Sequence, residues 1–448
     1  MNVVIFGAGR RGLRLARHLI QERKSVTFLD QNKERCTQAV AKLDCLAICG
    51  SATDYDKLIE AGCDKADSVI ALTDSDEVNL VSCGIVSSQW PNVDTIASIR
   101  TLSYLSQYDK KILGISHIVN PEQEAATRIA GIIRSRLFSD IIYFTNAHFI
   151  LFTRIIHSDS RFYGKSLIQM KQELPGQYII AGIKRNNKVF TPSGNTVLEN
   201  KDEIVIVADD NKSQDVFNAF DKTQSINIRR IIVVGGTRIA GYLFRQLPTK
   251  TLRNITLIEK DAKVCQDFVD EFPQLLVING TITDEQLWED EEIGKSDLFI
   301  SVTENDELNI ITSSYAKRVG TKKSMALIKT NMNYINFARH MDIDAPISTT
   351  EATVDTLMRH LRGNGIKGLY SVFEGEMEIY EYVLGEKFSH IGKQLKDVQT
   401  KGKFVIAGIK RSKDDNFVPD GFYTFTQGDT VLVAATHENY EFVTEFFS

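Results

Sequence analysis

No apolar run in this chain reaches the roughly 18 residues that a membrane-spanning helix requires. The chain is therefore not expected to cross a bilayer by itself. It opens at once on the strand-like Val3-Val4-Ile5-Phe6, so no signal peptide is expected. Six cysteines (Cys36, Cys45, Cys49, Cys63, Cys83, Cys265) form no Cys-x-x-Cys pair, which argues against a zinc site or a disulfide framework. Reduced thiols and a cytoplasmic setting are expected. With a net charge of −5, no basic surface for nucleic acid is indicated. Low-complexity segments are also absent. What remains is an ordinary globular composition, 43% hydrophobic and 25% charged, long enough at 448 residues for about three or four domains with their own cores.

The positive signal is repetition. The hexapeptide Ile-Ala-Gly-Ile-Lys-Arg occurs at Ile180 to Arg185 and again at Ile406 to Arg411, 226 positions later. Thr73, Asp76, Glu77 and Asn79 recur as Thr303, Asp306, Glu307 and Asn309. Gly50 to Asp54 is answered by Gly280 to Asp284. A unit of half the chain is too long for a solenoid repeat and has the size of one or two domains.

Within one half, short apolar strands alternate with amphipathic stretches. Val3 to Phe6, Val26 to Leu29, Ala47 to Cys49, Ser68 to Leu72 and Thr95 to Ile99 read as strands. Arg10 to Arg23 reads as a helix with Leu13, Ala16, Leu19 and Ile20 on one face, and Pro121 to Leu137 as another with proline in its first turn. This rhythm predicts an α/β fold with a doubly wound parallel sheet of the Rossmann type. Beyond Ser139 the segments Ile141 to Thr145, His148 to Ile156, Tyr178 to Lys184 and Glu203 to Val207 predict a small β-rich module, closed by a helix near Asp215 to Phe220. The expected domains are 1–138 and 227–363, both Rossmann-like, and 139–222 and 364–448, both small and β-rich, with Gly363, Gly365 and Gly368 marking the last boundary.

Gly7, Gly9 and Gly12 follow the first strand and open the first helix. In that context Gly7 permits the tight turn, Gly9 lets the backbone approach a pyrophosphate, and Gly12 lets helix and strand pack closely. The exposed amides and the helix N-terminus attract phosphate. Asp30 ends the second strand, 18 residues after Gly12, where a carboxylate accepts ribose hydroxyls and repels a 2′-phosphate. NAD(H) is thus the expected cofactor. Arg10 and Arg11 inside the loop suit additional phosphate charge, as in ATP or ADP, or phosphates reached across a subunit interface, or else are solvated first-turn arginines. Ala52 and Thr53 are placed to flank an adenine, while Asp54 is expected to cap a helix. Thr73 and Asn79 are candidates for the nicotinamide or phosphate end, and Arg100 for a phosphate partner or an ion pair.

The second copy has drifted. Its loop carries Gly235, Thr237, Arg238 and Ala240, so a side chain stands where Gly9 is bare. Glu259 keeps the acidic partner and Lys329 stands where Arg100 stands. A smaller nucleotide, weak binding or none is expected there, with the second copy acting mainly as scaffold.

Taken together, the glycine loop with its arginine, the Gly50 to Asp54 turn, the Thr73 to Asn79 stretch and the repeated hexapeptide resemble the regulatory domains of potassium channels and transporters. Their tandem order resembles the peripheral subunit of the bacterial Trk potassium-uptake system, over essentially the whole chain. That resemblance implies NAD(H) and adenine nucleotides in the first domain, with Arg10 reaching phosphates. It also implies a homotetrameric cytosolic ring at the inner face of the membrane, acting on a membrane-embedded potassium transporter subunit. The small modules would be dimerisation or sensing surfaces. No catalytic residue and no metal site is expected. The competing class is an NAD-dependent oxidoreductase, which needs an acid or base beside the nicotinamide. The eight histidines share no motif, and none recurs at equivalent positions in the two halves.

Overall fold

The computed structural model describes residues 1–101, 112–135, 141–144, 147–176, 178–209, 213–220, 228–330, 333–361, 366–386, 388–398, 402–412 and 415–447. The expected domain boundaries near 138, 222 and 363, with Gly363 and Gly365, fall outside these residues.

The chain opens with β1 (Asn2–Phe6), β2 (Ser25–Asp30), β3 (Leu46–Cys49), β4 (Ser68–Ala71), β5 (Asp94–Ser98) and β6 (His117–Val119), all parallel, in the order β3-β2-β1-β4-β5-β6. Then β7 (Ile141–Phe144), β8 (Phe149–Ile155), β9 (Tyr178–Arg185), β10 (Lys188–Phe190) and β11 (Glu203–Asp209) form an antiparallel sheet in the order β10-β9-β11-β8-β7. The second half repeats both. Strands β12 (Ile231–Val234), β13 (Ile255–Glu259), β14 (Leu276–Asn279), β15 (Leu298–Ser301), β16 (Lys323–Ile328) and β17 (Ala345–Ser348) form a parallel sheet in the order β14-β13-β12-β15-β16-β17. Antiparallel β18 (Ile366–Val372), β19 (Met377–Val383), β20 (Val405–Ser412), β21 (Asp415–Phe417) and β22 (Thr430–Thr436) follow, in the order β18-β19-β22-β20-β21.

Both parallel sheets are Rossmann-like, with the strand order reversing beside β1 and β12, where open α/β sheets place their ligands. Helices cover both faces, which is why the inner strands are apolar throughout: Val3 to Phe6 and Val69 to Ala71 are all buried. On the first helix, Arg10–Gln21, the buried face is Gly12, Leu15, Ala16 and Leu19. Leu15 replaces the expected Leu13 and Ile20, which are half-buried, because the helix face turns toward Phe28 beneath Gly12.

The two Rossmann-like domains form one compact unit. Arg14 of the first helix pairs with Glu351 of helix Thr349–Leu361 at 3.2 Å. The equivalent helix of the first copy, Pro121–Ser135, reaches the opposite way, with Arg134 donating to the Gln246 carbonyl at 3.1 Å. Beside it, the Asn120 amide donates to the Tyr242 hydroxyl at 2.7 Å. Each copy thus sends its last helix to the first helix of the other. Arg128 with Asp355, and Arg359 with Glu124 at 3.7 Å, join those two helices.

The two small sheets form the other unit, described separately. Their shared core includes Phe149, Leu151, Ala181 and Val205 of one copy and Met377, Ile379, Ala407 and Leu432 of the other. The hexapeptide has two structural duties there. Its arginine clamps a buried aspartate through two bonds in both copies: Arg185 to Asp202 at 2.7 and 2.6 Å, Arg411 to Asp429 at 3.1 and 3.0 Å. Its glycine makes room for the other copy. A Cβ at Gly182 would stand 2.2 Å from Met377 Sδ, and one at Gly408 would stand 2.7 Å from Phe149 Cζ. Phe149 and Met377 are themselves equivalent, each opening its strand.

Candidate functional site

A cleft of about 740 Å³ lies at the C-terminal edge of the first parallel sheet, inside the unit made by the two Rossmann-like domains. Its floor is the glycine loop. Gly7 has φ +100°, which only glycine adopts easily, and a Cβ there would also meet the Leu72 carbonyl at 3.1 Å. At Gly12 a Cβ would stand 2.1 Å from the Gly7 carbonyl oxygen, so helix and turn touch backbone to backbone. Gly9 differs: the nearest atom to a Cβ there is Arg35 Nη1 at 4.0 Å, and its face is open to the cleft.

Asp30 stands beneath this loop, buried at 7% exposure. Its Oδ2 accepts the Ala8 amide at 2.7 Å and its Oδ1 accepts the Asn32 amide at 2.8 Å. A carboxylate offers about four lone-pair sites, so capacity for ribose hydroxyls remains while the loop is held. Ala52 and Ser51 line the adjoining wall. Asp54 caps helix Tyr55–Glu60 by accepting the Asp56 amide at 3.0 Å, the role expected of it.

Basic side chains gather at the far end, all but Arg10 close to an acid. Arg100 Nε lies 3.4 Å from Asp76 Oδ1. The Arg11 guanidinium is 16% exposed, donates to Ser98 Oγ at 3.1 Å and sits 3.8 Å from Asp74. Burial draws its pKa below the ordinary arginine value, with the Asp74 charge opposing; a guanidinium remains charged all the same. Arg10 is exposed and lacks a hydrogen bond or ion pair among the described residues. Two further cations come from the second copy: Arg238, 3.0 Å from Glu122, and Lys329, 2.7 Å from Glu304. Burial raises the Glu122 carboxyl above the ordinary glutamate value, while Arg238 and then Lys329 oppose the rise.

The cleft therefore brings together Gly7, Gly9, Arg10, Arg11, Asp30, Ala52, Thr73 and Arg100. The other candidates do different work. Gly12 packs under the loop rather than facing the cleft. The Thr53 hydroxyl points to Ser51 Oγ at 2.8 Å, and Ser51 takes the wall position instead. Asn79 is 1% exposed, and its amide is consumed: Oδ1 accepts from the Thr73 amide and hydroxyl at 3.0 and 2.7 Å, and Nδ2 donates to the Ser98 carbonyl at 2.8 Å. It holds the Thr73 loop, as Asn309 holds the Thr303 loop. Glu259 lies in the second copy, accepting the Gly236 amide at 2.6 Å as Asp30 accepts Ala8. There Thr237 turns its hydroxyl onto the Val302 carbonyl at 3.0 Å.

Sequence reasoning did not single out Arg35 or Glu122 as wall residues, and it considered Arg238 and Lys329 only with the second loop, whereas both also line this cleft. The equivalences Arg10 to Arg238 and Arg100 to Lys329 were visible, but only the exchange of helices brings the second pair into the first cleft.

Known proteins carry the same pattern. The model of the TrkA-N domain matches residues 3–121 and 231–349, and that of the TrkA-C domain matches 151–221 and 379–448. The Trk system potassium uptake protein TrkA of Halomonas elongata is 28% identical over 421 residues, covering 92% of this chain and 91% of the relative. Its namesake from Vibrio alginolyticus is 27% identical over 448 residues, covering 98% and 97%. Among solved structures, the GsuK channel bound to NAD superposes with a TM-score of 0.58 at 17% identity, covering 100% of this chain and 78% of that one. The GsuK RCK domain gives 0.56 at 18% identity, covering 100% and 94%. These structural likenesses concern the fold. No helix among the described residues is long and apolar enough to cross a membrane.

Proposed function

Since this chain belongs to the family of tandem TrkA-N and TrkA-C domains, we propose that it is a regulatory subunit of a potassium uptake system. Its first Rossmann-like domain binds NAD(H) and adenine nucleotides, and the bound ligand sets potassium flux through a membrane-embedded transporter subunit. It is not an enzyme; its relatives are named for potassium uptake. The four expected domains, a homotetrameric ring and a place at the inner face of the cell membrane belong to the same reading.

The observation that carries the proposal is one juxtaposition. Asp30 lies under an open Gly9, while Arg10, Arg100, Arg238 and Lys329 face the same cleft. A ribose and a pyrophosphate need an acceptor and bare amides; a longer phosphate chain needs extra cations. Because Arg100, Arg238 and Lys329 already lie near carboxylates, phosphates would take over their partners, and among the described residues would meet unpaired charge only at Arg10. A ligand shifts a conformational equilibrium only through unequal affinities for the two states. A tenfold ratio is worth about 1.4 kcal/mol per site, so about four equivalent sites supply the roughly 5.5 kcal/mol that carries a population from 1:99 to 99:1.

Calorimetric titration of the full chain with NADH and with ATP tests the reading, paired with a Gly9→Val variant whose fold is checked by circular dichroism. Binding that survives in Gly9→Val would place the site elsewhere. Robust NADH turnover across a broad substrate screen would favour the oxidoreductase instead.

A further inference from the structure

The first copy holds two thiols where the second holds a thiol and an amide. Cys36, on helix Lys33–Lys42, is 6% exposed, and its sulfur lies 3.4 Å from the Asp30 carbonyl and 3.6 Å from the Ile48 carbonyl. Cys49 is exposed, ends β3 opposite Asp30, and its sulfur lies 3.7 Å from the Gln31 carbonyl. In the second copy Cys265 takes the place of Cys36, 3.4 Å from the Glu259 carbonyl. Asn279 takes the place of Cys49, and its amide reaches the Cys265 sulfur at 3.6 Å. In the second copy the side chains at these two positions are thus in direct contact, and in the first copy the two thiols stand at the same two backbone positions, on the paired residues of β2 and β3 and the helix between them. The Cys36 thiol is pushed up by burial first, then by the Cys49 thiol and the Asp30 carboxylate.

We propose that Cys36 and Cys49 are an oxidisable dithiol that closes to a disulfide and weakens ligand binding in the adjoining cleft. The oxidant is a hydroperoxide. The exposed Cys49 thiolate attacks a peroxide oxygen; the S–O bond forms as the O–O bond breaks, and the departing hydroxide takes the proton that the Cys49 thiol shed on ionising and leaves as water. Cys36 then attacks the Cys49 sulfur; the S–S bond forms, the S–O bond breaks, and the departing hydroxide takes the Cys36 proton. Two thiols lose two protons and two electrons, and hydrogen peroxide becomes two waters. Cys63 and Cys83 are excluded, since burial pushes each thiol up to about 12.

The coupling to the cleft is short-range. Cys36 follows the helix cap Asn32, whose amide is held by Asp30 Oδ1 at 2.8 Å. Drawing the Cys36 sulfur toward β3 moves the first turn of that helix and disturbs the carboxylate under the glycine loop. This coupling rests on the nucleotide reading above, whereas the chemistry of the dithiol does not.

The test uses the full chain, reduced or treated with hydrogen peroxide, followed by alkylation and peptide mass mapping. A cross-link joining Cys36 to Cys49, reversed by dithiothreitol, is expected. Calorimetry should then show NADH affinity about tenfold weaker in the oxidised chain, a coupling that acts equally in reverse. By that reciprocity, saturating NADH should raise the reduction potential of the pair by about 30 mV. Cys49→Ser should bind NADH as the reduced chain does and ignore peroxide. A Cys45–Cys49 bridge, no bridge, or unchanged affinity after bridging would overturn the proposal. Should the reduced chain itself fail to bind NADH, the nucleotide reading falls and the coupling with it, while the cross-link map still decides the site.

Discussion

Gly9 and Gly12 belong to one loop, yet a methyl group should have opposite effects at the two. At Gly12 the added carbon would stand 2.1 Å from the Gly7 carbonyl oxygen and 3.2 Å from the Phe28 ring. Both neighbours belong to the buried junction of turn, strand and helix, and the oxygen is backbone, so the strain has no cheap relief. Overpacking of this kind costs about 1–3 kcal/mol. For a unit of this size each kcal/mol lowers the melting temperature by about 2–4 °C, giving a fall of about 2–12 °C for Gly12→Ala. Gly9 sits at φ −78° and ψ −173°, a conformation open to any residue, with nothing closer than 4.0 Å. Gly9→Ala should leave stability unchanged or raise it by up to about 1 kcal/mol. Its methyl group would instead occupy the space through which phosphate reaches the loop amides. Losing one hydrogen bond to a charged group costs about 1.5–3 kcal/mol, or about 10–150-fold in affinity. Differential scanning fluorimetry and NADH calorimetry on both variants separate the effects. Full NADH affinity in Gly9→Ala, or an unchanged melting temperature in Gly12→Ala, would refute this assignment of roles.

Asp30→Ala should weaken NADH binding by more than tenfold while lowering stability by about 1–3 kcal/mol from two orphaned amides; calorimetry and denaturant unfolding read the two losses separately. Arg238→Ala should reduce ATP affinity about tenfold and NADH affinity less, since it removes a cation but leaves Asp30 and the loop; paired titrations check this. Asp76 accepts the Arg100 and Thr101 amides at 3.0 and 2.8 Å and the Thr101 hydroxyl at 2.7 Å. Burial would raise its carboxyl, but these bonds and Arg100 together hold it below the ordinary 3.8. Because its folded value is the lower one, its contribution is complete above about pH 3.8 and is lost as pH falls below that. Asp76→Asn should therefore flatten the acid limb of a stability-against-pH curve. Finally, Gly408→Ala should cost more stability than Gly182→Ala, because the first meets the rigid Phe149 ring and the second the flexible end of Met377; thermal unfolding compares them.

Strands and the glycine loop were legible because they are written in local pattern. Val3 to Phe6 is apolar on both faces, as a doubly covered parallel strand must be, and Gly7, Gly9 and Gly12 have the spacing that a turn into a helix requires. Strand β6, His117–Val119, was not, since three residues give no periodicity to read. Asn79 was misread for a physical reason. A polar residue at a sheet edge suggests ligand contact, but its four bonding positions are filled by Thr73 and Ser98, whose closeness is a tertiary fact. Arg11 illustrates the same limit: a first-turn arginine looks solvated until Ser98, on β5, is found beside it.

The divergence between the copies follows from which contacts are reciprocal. In the small sheets, each hexapeptide glycine receives the opening residue of the other copy's strand, and each arginine clamps its own aspartate. Changing either copy alone breaks a contact, so the same six residues serve in both. In the Rossmann-like pair the requirement is one-sided. If the first cleft takes a nucleotide as proposed, it needs a bare Gly9 from its own loop, but only cations, Arg238 and Lys329, from the other copy. Position 237 is therefore free of that demand, and a threonine there can spend its hydroxyl on the Val302 carbonyl, stiffening the turn from which Arg238 projects. On the proposed nucleotide reading, the second copy would be more than scaffold: its own loop has lost the open face of Gly9, and Arg238 and Lys329 would add their charge to the site of its neighbour.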